Sequence, residues 1–132
     1  GPPAECVRML AYVTIGTNDL PRAAAFYDAL LAELGGSRMM EEPDYFVAWS
    51  TGQEGAGLGV TMPFNKQPAT AGNGNMVALA ASSREQVDRL HARALELGGS
   101  DEGAPGQRWD GFYAAYFRDL DGNKLNACYM GP

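Results

Sequence analysis

Tyr12-Val-Thr-Ile-Gly-Thr-Asn-Asp-Leu20 decides how the rest of the sequence is read, because a pattern of period two gives way there to one of helical spacing. Tyr12 and Thr14 alternate with Val13 and Ile15, as in a strand buried on one face. Asn18-Asp19 ends that strand. Asp19 can cap a helix whose first turn accepts Pro21, and Ala23, Phe26, Leu30 and Leu34 recur at helical spacing until Gly35-Gly36 stops it. Three short strand candidates follow: Ser37 to Glu42, Tyr45 to Ser50 and Gly57 to Met62. The unit is β-α-β-β-β.

The pattern then recurs. Pro63 to Gly74 is rich in Pro, Gly and Asn and reads as a connection. Asn75 to Ala81 is a strand candidate, and Ser82 or Ser83 with Glu85 or Gln86 makes a capping box. Val87, Leu90, Ala94 and Leu97 form the helix stripe that Gly98-Gly99 ends. Phe112 to Arg118 and Asn123 to Tyr129 flank the hairpin signal Asp119-Leu120-Asp121-Gly122, and Ser100 to Gly111 is expected to hold at most one short strand. Placing Tyr12 over Met76, an offset of 64 residues, superposes Ile15 on Leu79, Ala23 on Val87 and Phe26 on Leu90. The expected fold is α+β, with two tandem β-α-β-β-β modules forming a curved mixed sheet around a cleft. Module one takes residues 9–63, a linker 64–74 and module two 75–130 of one domain over 9–132. Residues 1–8 form a tail in which Gly1-Pro2 reads as the scar of a cleaved tag.

Composition narrows the function classes. The chain has 132 residues, 45% of them hydrophobic and 20% charged, which fits one folded domain. Ten basic against sixteen acidic side chains give a net charge of -6, which disfavours nucleic acid and anionic membranes as partners. The same net charge weakly favours a cationic ligand. Apolar runs such as Val77 to Ala81 are far shorter than the roughly 20 residues of a spanning helix. Cys6 and Cys128 lie far apart outside any CxxC spacing and are expected to be free thiols. A cytoplasmic location is the default expectation.

The segment Tyr12 to Leu20 followed by Ala25-Phe26-Tyr27, together with Gly103-Ala-Pro-Gly-Gln-Arg108 leading into Arg118-Asp-Leu-Asp-Gly-Asn-Lys-Leu125, resembles the vicinal oxygen chelate superfamily. That group contains glyoxalase I, bleomycin-resistance proteins and extradiol dioxygenases. Leu120 departs from it, standing where the family usually carries proline. In metal-dependent members, the resemblance implies, four ligands, mostly His, Glu or Gln, come from the first and fourth strands of each module. The matching positions here are Tyr12, Met76, Asn126 and, within a residue or two, Gly59. Phenol, thioether, carboxamide and no side chain at all make a poor set for a divalent metal, so neither a metal nor another cofactor is expected.

Strand alternation points the same way. Val13, Ile15, Leu58, Val60, Val77, Leu79, Leu125 and Ala127 should face the helices. Tyr12, Thr14, Gly59, Thr61, Met76, Ala78 and Asn126, with Cys128, should then line a neutral opposite face, and the first seven are the expected ligand-binding residues. No catalytic residue is assigned. His91, the lone histidine, reads as a boundary side chain on the second helix, and Glu41-Glu42 as a solvated strand end. Tyr45, Trp49, Trp109, Phe112, Tyr113 and Tyr116 fit core or dimer packing better than a ligand cage. Asp119, Asp121 and Asn123 lack the EF-hand spacing, and Gly55, Gly57 and Gly59 precede a strand, not a helix that could hold phosphate.

The expected function is therefore a metal-free protein that binds an apolar or aromatic small molecule in a cleft, as a homodimer of the kind the resemblance implies. The alternative is a glyoxalase-like lyase or isomerase, or a dioxygenase, with an atypical site. Those chemistries lean on a metal for transition-state stabilisation, and a phenol such as the one Tyr12 offers is a weak substitute base near neutrality.

Overall fold

Both helices begin and end where the chain supplies a cap and a glycine. In the computed structural model, which describes residues 9–52 and 55–132, α1 spans Leu20–Ala32 and α2 spans Arg84–Glu96. Their first and last residues are offset by the same 64 positions. The Asp19 carboxylate accepts from the Arg22 amide at 3.1 Å, with Pro21 in the first turn. At α2 the Ser83 hydroxyl accepts from the Gln86 amide at 3.1 Å, while the Gln86 side chain accepts from the Ser82 amide at 2.8 Å. Gly35 and Gly98, at φ 76° and 103°, provide the left-handed residue that ends each helix.

The strands are β1 (Tyr12–Gly16), β2 (Ser37–Glu42), β3 (Phe46–Ser50), β4 (Gly57–Thr61), β5 (Val77–Ala80), β6 (Ser100–Trp109), β7 (Phe112–Arg118) and β8 (Lys124–Met130). They form two four-stranded mixed sheets, ordered β1-β4-β3-β2 and β5-β8-β7-β6. The curved surface is thus built from one sheet per module. In each, the first and fourth strands pair in parallel, Val13 beside Leu58 and Val77 beside Leu125. Met76 lies one residue before β5.

One strand is longer than its sequence suggests. The segment expected to hold at most one short strand contains the ten-residue β6, paired with β7 through three register shifts. Gly103, Pro105 and Gly106 hide it from a periodicity search. They are tolerated because β6 is a sheet edge, where bulges and a missing amide donor cost little.

A single core serves both modules. Phe26, Tyr27, Leu30, Trp49 and Val60 from the first join Val87, Leu90, Phe117, Leu125 and Ala127 from the second, all nearly inaccessible to solvent. Val13, Ile15 and Val77 pack against this core, so the alternation read from the strands has the correct face inward. A polar lock reinforces the seam at the hairpin between β7 and β8. The Tyr27 hydroxyl donates to Asp119 Oδ2 at 2.6 Å, and Asp119 Oδ1 accepts the Asp121 and Asn123 amides, each at 2.9 Å. Asn123 Nδ2 donates to the Gly16 carbonyl at 2.9 Å, and the Asn18 amide donates to Asp121 Oδ1 at 3.0 Å. Leu120 fits this turn by packing against the core. No helix among the described residues is long and apolar enough to cross a membrane.

Candidate functional site

Each sheet buries one face under a helix and leaves the other open. On the open face of module one, Thr14 lies beside Gly59 and Gly16 beside Thr61 across the parallel β1–β4 pair. In module two Ala78 lies beside Asn126. With the 64-residue offset carrying Thr14 onto Ala78, Gly59 and Asn126 are equivalent positions on the two fourth strands. The register left open in the sequence is therefore fixed by strand pairing.

Gly59 leaves room for a neighbouring ring. A Cβ there would fall 2.6 Å from Phe46 Cε2 and 3.4 Å from Thr14 Cγ2, because the Phe46 ring lies across the strand. One step along β4, a Cβ on Gly57 would meet Met39 Sδ at 3.2 Å and Tyr12 Cβ at 3.8 Å. Tyr12, Met39 and Phe46 thus form an apolar surface over two glycines, and Tyr12 is 62% exposed. The Thr61 hydroxyl is turned to the Met62 carbonyl at 2.9 Å.

The matching face of module two is built differently. Met76 is 46% exposed, whereas Asn126 is only 1% exposed and its amide donates to the Ala115 carbonyl at 3.4 Å. Tyr116 lies opposite Asn126, with the Arg108 guanidinium 5.4 Å and the Lys124 ammonium 5.6 Å from its ring centre. Cys128, next along this face, is buried, and that burial pushes its thiol pKa up, away from reactive thiolate character. Cys6 lies outside the described residues.

Two cavities are notable among the described residues, one on the helix-packed side of the sheets and one beside the start of β8. One of about 620 Å³ lies at the seam of the modules, walled by Leu31, Leu34, Trp49, Leu58 and Leu79, with Ala78 and Ala80 at its edge. Another of about 550 Å³ lies between residues 71–76 and the β7–β8 hairpin, and takes in Met76, Arg118 and Lys124. Of the expected ligand-binding residues, Ala78 lines the first and Met76 the second, while Tyr12, Thr14, Gly59, Thr61 and Asn126 line neither. The modules meet through α1 and α2, through the hairpin lock and through the shared core, to which strands of both sheets contribute. Phe46 and Lys124 went unmarked in the sequence. For Lys124 the signal was present, since it precedes Asn126 and Cys128 at steps of two on one strand.

Several further polar groups have structural partners, whereas Asp121 Oδ2 is buried with no hydrogen-bond partner among the described residues. His91 Nε2 is 2.9 Å from Asp101 Oδ1, tying α2 to the edge strand β6. The Asp101 carboxyl sits below its ordinary pKa because of that hydrogen bond and the Gly103 amide. Tyr27 is pushed well above 10 by burial and by Asp119, which unsuits it as a base. Arg38 bridges Asp28 at 2.7 Å and Glu41 at 2.6 Å on exposed β2. Among the described residues no three His, Cys, Asp or Glu side chains come together as a metal-binding group.

The family model described as the Glyoxalase/Bleomycin resistance protein/Dioxygenase superfamily matches residues 9–127. The chain belongs to this superfamily. Among solved structures, a glyoxalase/bleomycin resistance protein from Albidiferax ferrireducens T118 is 40% identical, covering 92% of this chain and 98% of its own, with a TM-score of 0.81. A hypothetical protein from S. aureus is 26% identical over 96% of this chain and 97% of its own, at a TM-score of 0.72. A lactoylglutathione lyase from Agrobacterium tumefaciens, 23% identical over 96% of this chain and 94% of its own with a TM-score of 0.68, shares the fold. No curated protein matches the chain. The metal centre of the superfamily's metal-dependent members does not fit this donor set. A phenol at Tyr12, a thioether at Met76, a carboxamide at Asn126 and no side chain at Gly59 provide neither imidazole nor carboxylate.

Proposed function

We propose that this superfamily member binds an apolar or aromatic small molecule on its open sheet faces without a bound metal, in the manner of a sequestering protein. The observation that carries the reading is the chemistry of the four ligand-equivalent positions: Tyr12, Gly59, Met76 and Asn126 offer contact surface in place of metal ligands. Tyr12, Met39, Phe46 and Met76 supply the apolar contact, and Thr14 with Thr61 a few polar groups beside it. Pairing of two protomers would cover this surface, since Tyr12, Met39 and Met76 are otherwise left to water.

The test is ligand-observed NMR with a set of small aromatic alcohols and amines, run on the natural chain and on Met76→Glu. Binding to the natural chain should fall at least about tenfold in the variant, because a buried charge opposes apolar contact. The variant should melt close to the natural protein, since a partly exposed side chain outside the core typically changes stability by about 0.5 kcal/mol or less. Stoichiometric zinc, nickel, iron or manganese in protein purified without metal-affinity resin, lost on substituting Tyr12 or Met76, would overturn the reading.

A further inference from the structure

The charge of the molecule reverses locally at the start of β8. Although sixteen acidic side chains outnumber ten basic ones, the cavity of about 550 Å³ beside the β7–β8 hairpin is lined by Arg118 and Lys124 and by no carboxylate. Asn73 and Asn75 add neutral polar groups, and Met76 adds an apolar wall. Arg118 and Lys124 are cross-strand partners, so both stand on the open face.

Neither cation is fully spent inside the protein. Arg118 gives Nε to Glu102 and Nη1 to the Gly122 carbonyl at 2.9 Å, and its Nη2 makes no hydrogen bond among the described residues. Lys124 has no ion-pair partner among them, and its ammonium instead rests 5.6 Å from the Tyr116 ring centre, where Arg108 also lies at 5.4 Å. A cation–π contact leaves the formal charge in place. In a concave, partly desolvated site the nearest charges govern the field, because the screening length is only about 8 Å at physiological ionic strength.

Resting on the binding reading above, we infer that this cavity receives an anionic group, a carboxylate or a phosphate monoester, at one end of the ligand whose apolar body lies along Met76. Net charge had pointed to a cation; the side chains lining the cavity select the opposite sign. Lys124 supplies the uncompensated charge, and Arg118 the remaining guanidinium donor.

Titration of the 15N-labelled protein with benzoate, phenyl phosphate, benzyl alcohol and inorganic phosphate tests this. Both aromatic anions should shift amides of residues 72–76 and 118–124 and bind at least about fivefold more tightly than benzyl alcohol, with the advantage shrinking as salt rises. The tighter of the two anions identifies the headgroup. Lys124→Gln should weaken both by about tenfold while leaving the thermal melt unchanged. Equal affinity for benzoate and benzyl alcohol, or anion binding untouched by Lys124→Gln, overturns the anionic-end assignment and leaves aromatic binding intact. Inorganic phosphate bound at these amides with no aromatic compound binding anywhere would sustain the anion cavity and overturn the apolar-ligand reading.

Discussion

The two modules share their helix-packed sides and differ on their open sides. In module one Tyr12, Met39 and Phe46 spread over Gly57 and Gly59, an uncharged surface. In module two the position equivalent to Gly59 is Asn126, and Tyr116 beside it is flanked by Arg108 and Lys124. Even the aromatic residue has moved. By strand pairing, Ala48 lies opposite Gly59 where Tyr116 lies opposite Asn126. The difference teaches where duplicated sequence is held and where it is free. A helix-facing position must be apolar and of the right volume for the sheet to exist, whereas an open-face position only has to suit whatever binds there.

The sharpest way to break this comparison is to place the same kind of change on each side of one sheet. Leu79→Asp puts a carboxylate into the shared core and should cost more than about 4 kcal/mol, a large part of the 5–15 kcal/mol typical of whole domains. Chemical denaturation should find the variant largely unfolded, against the near-natural melt expected of Met76→Glu three residues away. Comparable destabilisation by both substitutions would mean that the open face is packed like a core.

The seam between modules gives a middle-sized effect. Tyr27→Phe removes the hydrogen bond to Asp119 while Asn123 and two amides still hold that carboxylate, so the loss should be about 1–2 kcal/mol. Its pH dependence is a separate readout. Tyr27 in the folded chain holds its proton above the ordinary phenol pKa of about 10, because of burial first and Asp119 second. Its contribution is fully present below pH of about 10 and is lost as pH rises from there through the folded-state value. Denaturation midpoints followed above pH 10 should fall more steeply for the natural chain than for Tyr27→Phe; parallel curves would count against this lock.

The smallest effect belongs to the open face of module one. Gly59→Ala brings a methyl within 2.6 Å of the far end of the Phe46 ring, which can swing aside, and should cost only about 1 kcal/mol, the low end of overpacking penalties. Pairing it with Phe46→Leu should recover most of that loss. A double-mutant cycle with no coupling would show that the two positions are independent.

Much of the fold was legible because it follows from local rules. The cap at Asp19, the capping box at Ser83, the glycines at 35 and 98 and the period-two runs of β1 and β8 each state their structure within a few residues. The duplication then placed the second half by analogy with the first. The edge strand β6 escaped because Gly103, Pro105 and Gly106 break its period, and only pairing with β7 makes it a strand. The candidate site was legible in part: alternation told which residues face away from the helices, but not what lies beside them.

By itself, then, the amino-acid order determined which side chains the sheets must bury, since apolar periodicity is a property of neighbouring residues along the chain. It also put side chains without imidazole or carboxylate at Tyr12, Met76 and Asn126, while Gly59 took its place beside them only through the pairing of β1 with β4. Tertiary structure alone decided that Asn126 is buried with its amide against the Ala115 carbonyl, that Phe46 closes over Gly59, and that Arg118 and Lys124 meet at one cavity in an acidic protein. Those outcomes depend on register and on contacts between strands distant in sequence. Such pairings are fixed by the packing of the whole domain and leave no local pattern to be read.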